Sequence, residues 1–237
     1  MPSAPDFRLK GYTAADAHTL DNWLRIDRRK FVVMADHHTE CASYFVLFDR
    51  TAIYGVPGEP QFAALHIIRD PAFRTFQYDL QRPPLPALAQ SWLIARRCPR
   101  DAIRLRPGLG TEPADDATRD LEDHLVRVGH RYRLVHSYTS EDASSIAVML
   151  EDPDDTAPAP FRVLVREGAG DHHTMRQGAF TDHGDAIRWV NRYWFTRTAP
   201  QLPPPPARIR PAPAQHPASQ LRAAPRSRSR QLQLPFR

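Results

Sequence analysis

The chain has 237 residues, 41% of them hydrophobic, enough apolar material for one large or two small cores, and a formal net charge of +5. No run approaches the ~18 apolar residues of a spanning helix, and Met1 to Lys10 holds no apolar leader, so a soluble cytoplasmic protein without a membrane span is expected. Two cysteines, Cys41 and Cys98, are too few for a disulfide framework.

In chain order, Thr13 stands three residues before Asp16, the spacing of a capping box, ahead of a helical stripe of Ala17, Leu20, Trp23 and Leu24. Four strand-like runs follow, Phe31 to Ala35, Tyr44 to Phe48, Gln61 to Ile68 and Phe73 to Tyr78, separated by turn formers. A second helix is expected from about Leu85 to Arg97, stopped by Pro99. The stretch Ala114 to Arg197 reads as a degraded second copy. Leu20 and Leu24 match Leu121 and Leu125, Phe31 matches Tyr132, Phe62 matches Phe161, Thr75 matches Thr174 and Trp92 matches Trp189. Its own elements are a helix from Asp115 to Val128, strands over Arg131 to Tyr138, Ser145 to Leu150, Phe161 to Arg166 and His173 to Phe180, and a closing helix capped by Asp182.

Short links without helical crossovers imply antiparallel meanders, with helices on one face. The expected fold is therefore α+β: tandem α-β-β-β-β-α modules over residues 1–106 and 107–198, then a disordered basic tail over 199–237. That tail opens on Leu202 and four prolines and contains seven arginines and no acid, so removing it turns the +5 of the whole into −2. Arg226, Arg228 and Arg230 make it a mobile polycation suited to an anionic partner.

Chemistry-bearing motifs are sparse. Gly108-Leu109-Gly110 lacks the third glycine and the lysine of a phosphate loop, and no nucleophile elbow is present. Asp36-His37-His38 after the first strand resembles the signature of the DHH phosphoesterases. The 35 residues before it lack that family's further aspartate motifs, so the chain is not assigned there. The residue types still suit zinc: His37, His38 and Cys41 in one copy, His172 and His173 in the other, on loops that a meander places along one edge. No catalytic residue is assigned.

Strand alternation sends Phe161, Val163 and Val165 toward the helices and Arg162 and Arg166 outward, where Arg133 and Arg176 join them on an open face. Such a face suits single-stranded nucleic acid. Four strands and a helix, twice, resemble the modules of Whirly and PUR-repeat proteins, which implies single-strand binding, although the leading helix departs from that pattern. The first copy's equivalents, Val32, Ala63, Ile67 and Gln77, are mostly apolar and must be covered by the linker, the other copy or a second protomer. The expectation is a non-enzymatic nucleic-acid-binding protein. Its rivals are an assembly module dimerising through the first copy and a metal-dependent enzyme using the histidine turns.

Overall fold

The computed structural model describes residues 4–52, 60–140, 144–154, 156–196 and 201–204. The first half runs β1 (Thr13–Ala14), α1 (Ala17–Trp23), β2 (Phe31–His38), β3 (Ala42–Asp49), β4 (Phe62–Asp70), β5 (Thr75–Gln81) and α2 (Pro86–Ala95). The second repeats that order as β6 (Glu112–Pro113), α3 (Asp116–Val128), β7 (Arg133–Thr139), β8 (Ser145–Glu151), β9 (Phe161–Ala169), β10 (His172–Phe180) and α4 (His183–Thr196). Each half builds one five-stranded sheet, β1-β5-β4-β3-β2 and β6-β10-β9-β8-β7, so the fold is α+β with two sheet modules. Four strands of each sheet form the antiparallel meander, and the fifth, β1 or β6, adds in parallel to the last. Among the described residues no helix is long and apolar enough to cross a membrane.

The short fifth strands change how the first helix of each half begins. Thr13 does not cap α1: its N–H donates to the Arg74 carbonyl at 2.9 Å, tying it into the sheet. The cap is Asp16, whose carboxylate accepts from the Thr19 N–H at 2.7 Å, and Asp115 does the same for Thr118 at 2.7 Å. The hairpin between β4 and β5 is two residues longer than its counterpart between β9 and β10. Thr13 pairs with Thr75 and Glu112 with His172, so His172 occupies the position of Thr75 and His173 that of Phe76. The Thr75–Thr174 match is therefore out of register by two.

Helices cover both faces of each sheet, not one. On one side of the first sheet, Phe45, Leu47, Ala63, Leu65, Ile67 and Phe76 lie under Phe7 and Trp23, with Phe7 edge-on to both Trp23 and Phe45. On its other side Tyr44, Val46 and Ala64 meet Ala89 and Leu93 of α2. In the second sheet, Ile146, Val148, Leu150 and Leu164 pack with Leu125 of α3, while Ala147, Met149, Val163 and Val165 pack with Trp189, Val190 and Tyr193 of α4. The apolar face expected to be covered by the linker, the other copy or a second protomer, at Ala63 and Ile67, is instead covered by α1 and the N-terminal segment of the same half.

One helix belongs to both sheets. Ala89 and Leu93 of α2 are buried against the first sheet, whereas Leu85, Ala87 and Leu88 join the core of the second. Its sequence, PALAQSWLIA, is apolar nearly all round, as a helix buried on every side requires. Ser91 fixes the junction, its Oγ accepting the His130 N–H at 2.8 Å. Gly129 permits that approach: a Cβ there would lie 2.7 Å from Leu88 Cδ2.

Both edge strands β2 and β7 carry a bulge at matching places, between Val33 and Ala35 and between Leu134 and His136. The first is partly capped by the linker, where the Arg106 N–H donates to the Met34 carbonyl at 2.9 Å. Beyond α4, the Ala179 N–H donates to the Pro203 carbonyl at 3.1 Å and Leu202 packs into the α4 core, so the first prolines of the expected tail belong to the folded body. The remainder of that tail, with Arg226, Arg228 and Arg230, lies outside the described residues.

Candidate anion-binding cleft

The four arginines expected on one open sheet face divide between two covered faces. Arg176 sits opposite Val165 and Arg133 opposite Glu151, so both fall on the α4 side. There Arg176 pairs with Glu167 at 2.8 Å and Arg133 with Glu151. Arg162 and Arg166 fall on the α3 side with Leu150 and Leu164. Alternation was read correctly for β9, but the opposite face is also covered, and the bulge after Leu134 reverses the facing of the rest of β7. Arg166 is buried enough for desolvation to pull its pKa down. Its Nη2 donates to Thr111 Oγ1 at 2.5 Å, and its Nε has no hydrogen-bond partner.

The five zinc candidates are dispersed for a related reason. His37 and His38 are neighbours on a strand and face opposite ways. His37 stacks on Tyr44, which stacks in turn on His66 with ring centroids 4.6 Å apart. His38 turns to the other face, Cys41 is exposed in the hairpin, His172 is exposed and His173 is buried. Neither histidine pair lies in a turn: one ends β2 and the other begins β10. Among the described residues no three of His, Cys, Asp and Glu gather in a way that holds a metal.

His38 and His173 enter two hydrogen-bond relays of like composition at different places in the repeat. In the first, Asp36 Oδ2 lies 3.0 Å from His38 Nε2, His38 Nδ1 lies 2.8 Å from Ser43 Oγ, and that oxygen accepts from Arg69 Nη1 at 2.7 Å. In the second, Glu122 Oε1, His173 and Thr111 Oγ1 follow at 2.9 Å each, and Thr111 Oγ1 accepts from Arg166. The order matches that of a serine hydrolase triad. Ser43 is completely buried, however, and both hydroxyl oxygens are engaged by guanidinium, so the relays hold strands together.

Burial lowers the pKa of His38, despite its Asp36 hydrogen bond, and lowers that of His66. Both side chains are then more readily protonated in the unfolded chain, so stability is full above the unfolded value of 6.5 and falls as pH drops through it. Thermal unfolding from pH 7.5 to 5 should therefore show a decreasing midpoint. His66→Gln should flatten that slope, and an unchanged slope would contradict the assignment.

A cleft of about 480 Å³ lies between α1 and β5. Phe31 and Tyr78 are among its lining, with Arg25, Lys30, Arg82 and Asn22 around them. Tyr78 is edge-on to Trp23 at 5.1 Å, and burial raises its pKa, so the phenol stays neutral. Arg82 is fixed across the mouth by Asp49 at 2.9 Å and reaches over the Phe31 ring. Burial alone would push Asp49 up, but hydrogen bonds from Thr51 and Arg82 outweigh it and hold the carboxyl below its usual range.

The short 3₁₀ turn Arg28–Lys30 makes this corner basic. Asp27 caps it through the Arg29 N–H, and Arg50 leans onto it, donating to the Arg29 carbonyl at 2.6 Å. Arg25, Arg28, Lys30 and Arg50 are all exposed, and among the described residues none has a carboxylate partner; Asp27 pairs with Arg29 and Asp79 with Arg96. Arg25 and Lys30 line the cleft together with Asp27 and Asp79, and Arg28 and Arg50 lie beside it, so positive charge is in local excess at this corner. The run Arg25-Ile26-Asp27-Arg28-Arg29-Lys30 was visible in the sequence, but the arrival of Arg50 and Arg82 from β3 and β5 was not. Compared with protein families, with curated proteins and with solved structures, the chain matches none.

Proposed function

We propose that this is a non-enzymatic binding protein for single-stranded nucleic acid, with the α1–β5 corner rather than an open sheet face as its site. The observation that carries the reading is a group of exposed cations without carboxylate partners among the described residues: Arg25 and Lys30 line a cleft that also reaches Phe31 and Tyr78, and Arg28 and Arg50 flank Lys30 beside it. Phosphates along a strand would meet the cations. The cleft admits one unstacked base against an aromatic edge, which a duplex does not offer. The arginines of the C-terminal tail add a second, sequence-independent attraction to the same backbone.

Fluorescence anisotropy of labelled single- and double-stranded oligonucleotides at two salt concentrations tests this. The single strand should bind more tightly, and binding should weaken steeply with salt. Arg25→Glu with Lys30→Glu should reduce affinity about tenfold or more at low salt and lower the salt slope by about 2. Wild-type affinity in that double variant would remove the corner from the reading.

A further inference from the structure

A second chamber, of about 430 Å³, lies where the N-terminal segment, β2 and the linker meet. Val33, Phe45 and Leu109 give it apolar surface, and Arg8, Arg106, Asp6, Asp36 and His38 bring charged and polar groups into it. It shares no lining residue with the α1–β5 cleft, so an inference about it stands apart from the nucleic-acid reading.

The charges there are unequal in freedom. Asp36 is held from both sides, by His38 Nε2 at 3.0 Å and by the Arg106 guanidinium, so its negative charge and that of Arg106 cancel within the wall. Arg8 has no such partner among the described residues. Its backbone is also unusual, with φ at 55°. The other two non-glycine residues at positive φ occupy ordinary places, Arg74 in the β4–β5 hairpin and Arg97 just past the end of α2. Arg8 is at neither kind of position. The Asp6 carboxylate accepts its N–H at 2.9 Å and turns the chain there, so that the side chain lines the chamber. A left-handed arginine beside an apolar chamber has the form of a strained residue retained at a ligand site. The size is that of a small-molecule pocket, and its lining mixes apolar side chains with several charged ones.

We propose that this chamber binds a small organic anion with an apolar body, its charged end on Arg8 and its body against Val33, Phe45 and Leu109. Arg106 balances the charge of Asp36, and the Asp6 carboxylate is engaged by the Arg8 N–H. Calorimetric titration of the full chain with 2-naphthoate and its neutral amide tests the proposal. Saturable one-to-one binding of naphthoate is expected, at least tenfold tighter than the amide. Arg8→Gln should weaken naphthoate at least tenfold, and Leu109→Trp, which narrows the chamber from the linker side, should abolish binding. Arg8→Gln should keep the wild-type unfolding midpoint, and both variants should keep wild-type oligonucleotide affinity. No saturable heat, equal affinity for acid and amide, or undiminished binding by Arg8→Gln would overturn it. Loss of oligonucleotide binding with naphthoate binding intact would count against the corner site alone.

Discussion

Leu93→Ala and Leu85→Ala should each cost about 3 kcal/mol, the middle of the range for emptying a fully buried leucine site, and each should shift one common unfolding transition. Leu93 lies on α2 and Leu85 is its N-cap residue, but Leu93 is buried with Val46 and Ala64 of the first sheet and Leu85 with Ile146 and Leu164 of the second. A cavity on either side loosens α2, which is a wall of both cores. Differential scanning calorimetry would show a single lowered peak in each variant. Two separated peaks, with only one displaced, would mean that the halves unfold independently and that α2 does not couple them.

The second large effect is a contrast between two buried arginines. Arg69→Met should destabilise by about 3 kcal/mol or more, whereas Arg166→Met should change stability by no more than about 1 kcal/mol in either direction. Arg69 donates to the carbonyls of Thr39, Glu40 and Ala42 and to Ser43 Oγ, closing the β2–β3 hairpin, and its loss removes four hydrogen bonds at once and strands the buried Ser43 hydroxyl. Arg166 satisfies one hydroxyl, leaves its Nε unpaired and carries the penalty of desolvation, so methionine replaces an expensive group by an apolar one of similar reach. Urea titrations of the two variants measure the difference directly. Equal losses would show that Arg166 has partners equivalent to those of Arg69.

The sequence carried the strand order and the two-sheet architecture because alternation and turn chemistry are local. Phe31, Tyr44 and Phe161 each open or centre the strand expected of them, and Asp115 and Asp182 stand where helix N-termini form. What escaped is what depends on distant partners. Thr13 resembles a helix cap, yet its N–H is taken by Arg74 across the sheet. Arg162 and Arg166 alternate as an outward pair, and nothing local reveals that α3 covers that side. The bulges at Met34 and Val135 are invisible to a strict period of two, and each inverts the residues beyond it. The candidate cleft was half legible: the basic run at Arg25 to Lys30 is contiguous, while Tyr78 and Arg82 reach the cleft only through the register of β5, and Arg50 comes beside it from the end of β3. The relays at His38 and His173 join residues up to 62 positions apart, which no short motif records.

The most direct test of the central claim separates the corner from the tail in the full-length protein. Single-strand affinity should be compared between wild type, Arg25→Glu with Lys30→Glu, and a tail variant with Arg226, Arg228 and Arg230 changed to serine. The account predicts that the tail variant keeps its preference for single strands with a shallower salt slope, while the corner variant loses about tenfold or more and the preference with it. Binding that vanishes with the tail arginines and is indifferent to Arg25 and Lys30 would contradict it, as would the absence of binding by the wild-type chain.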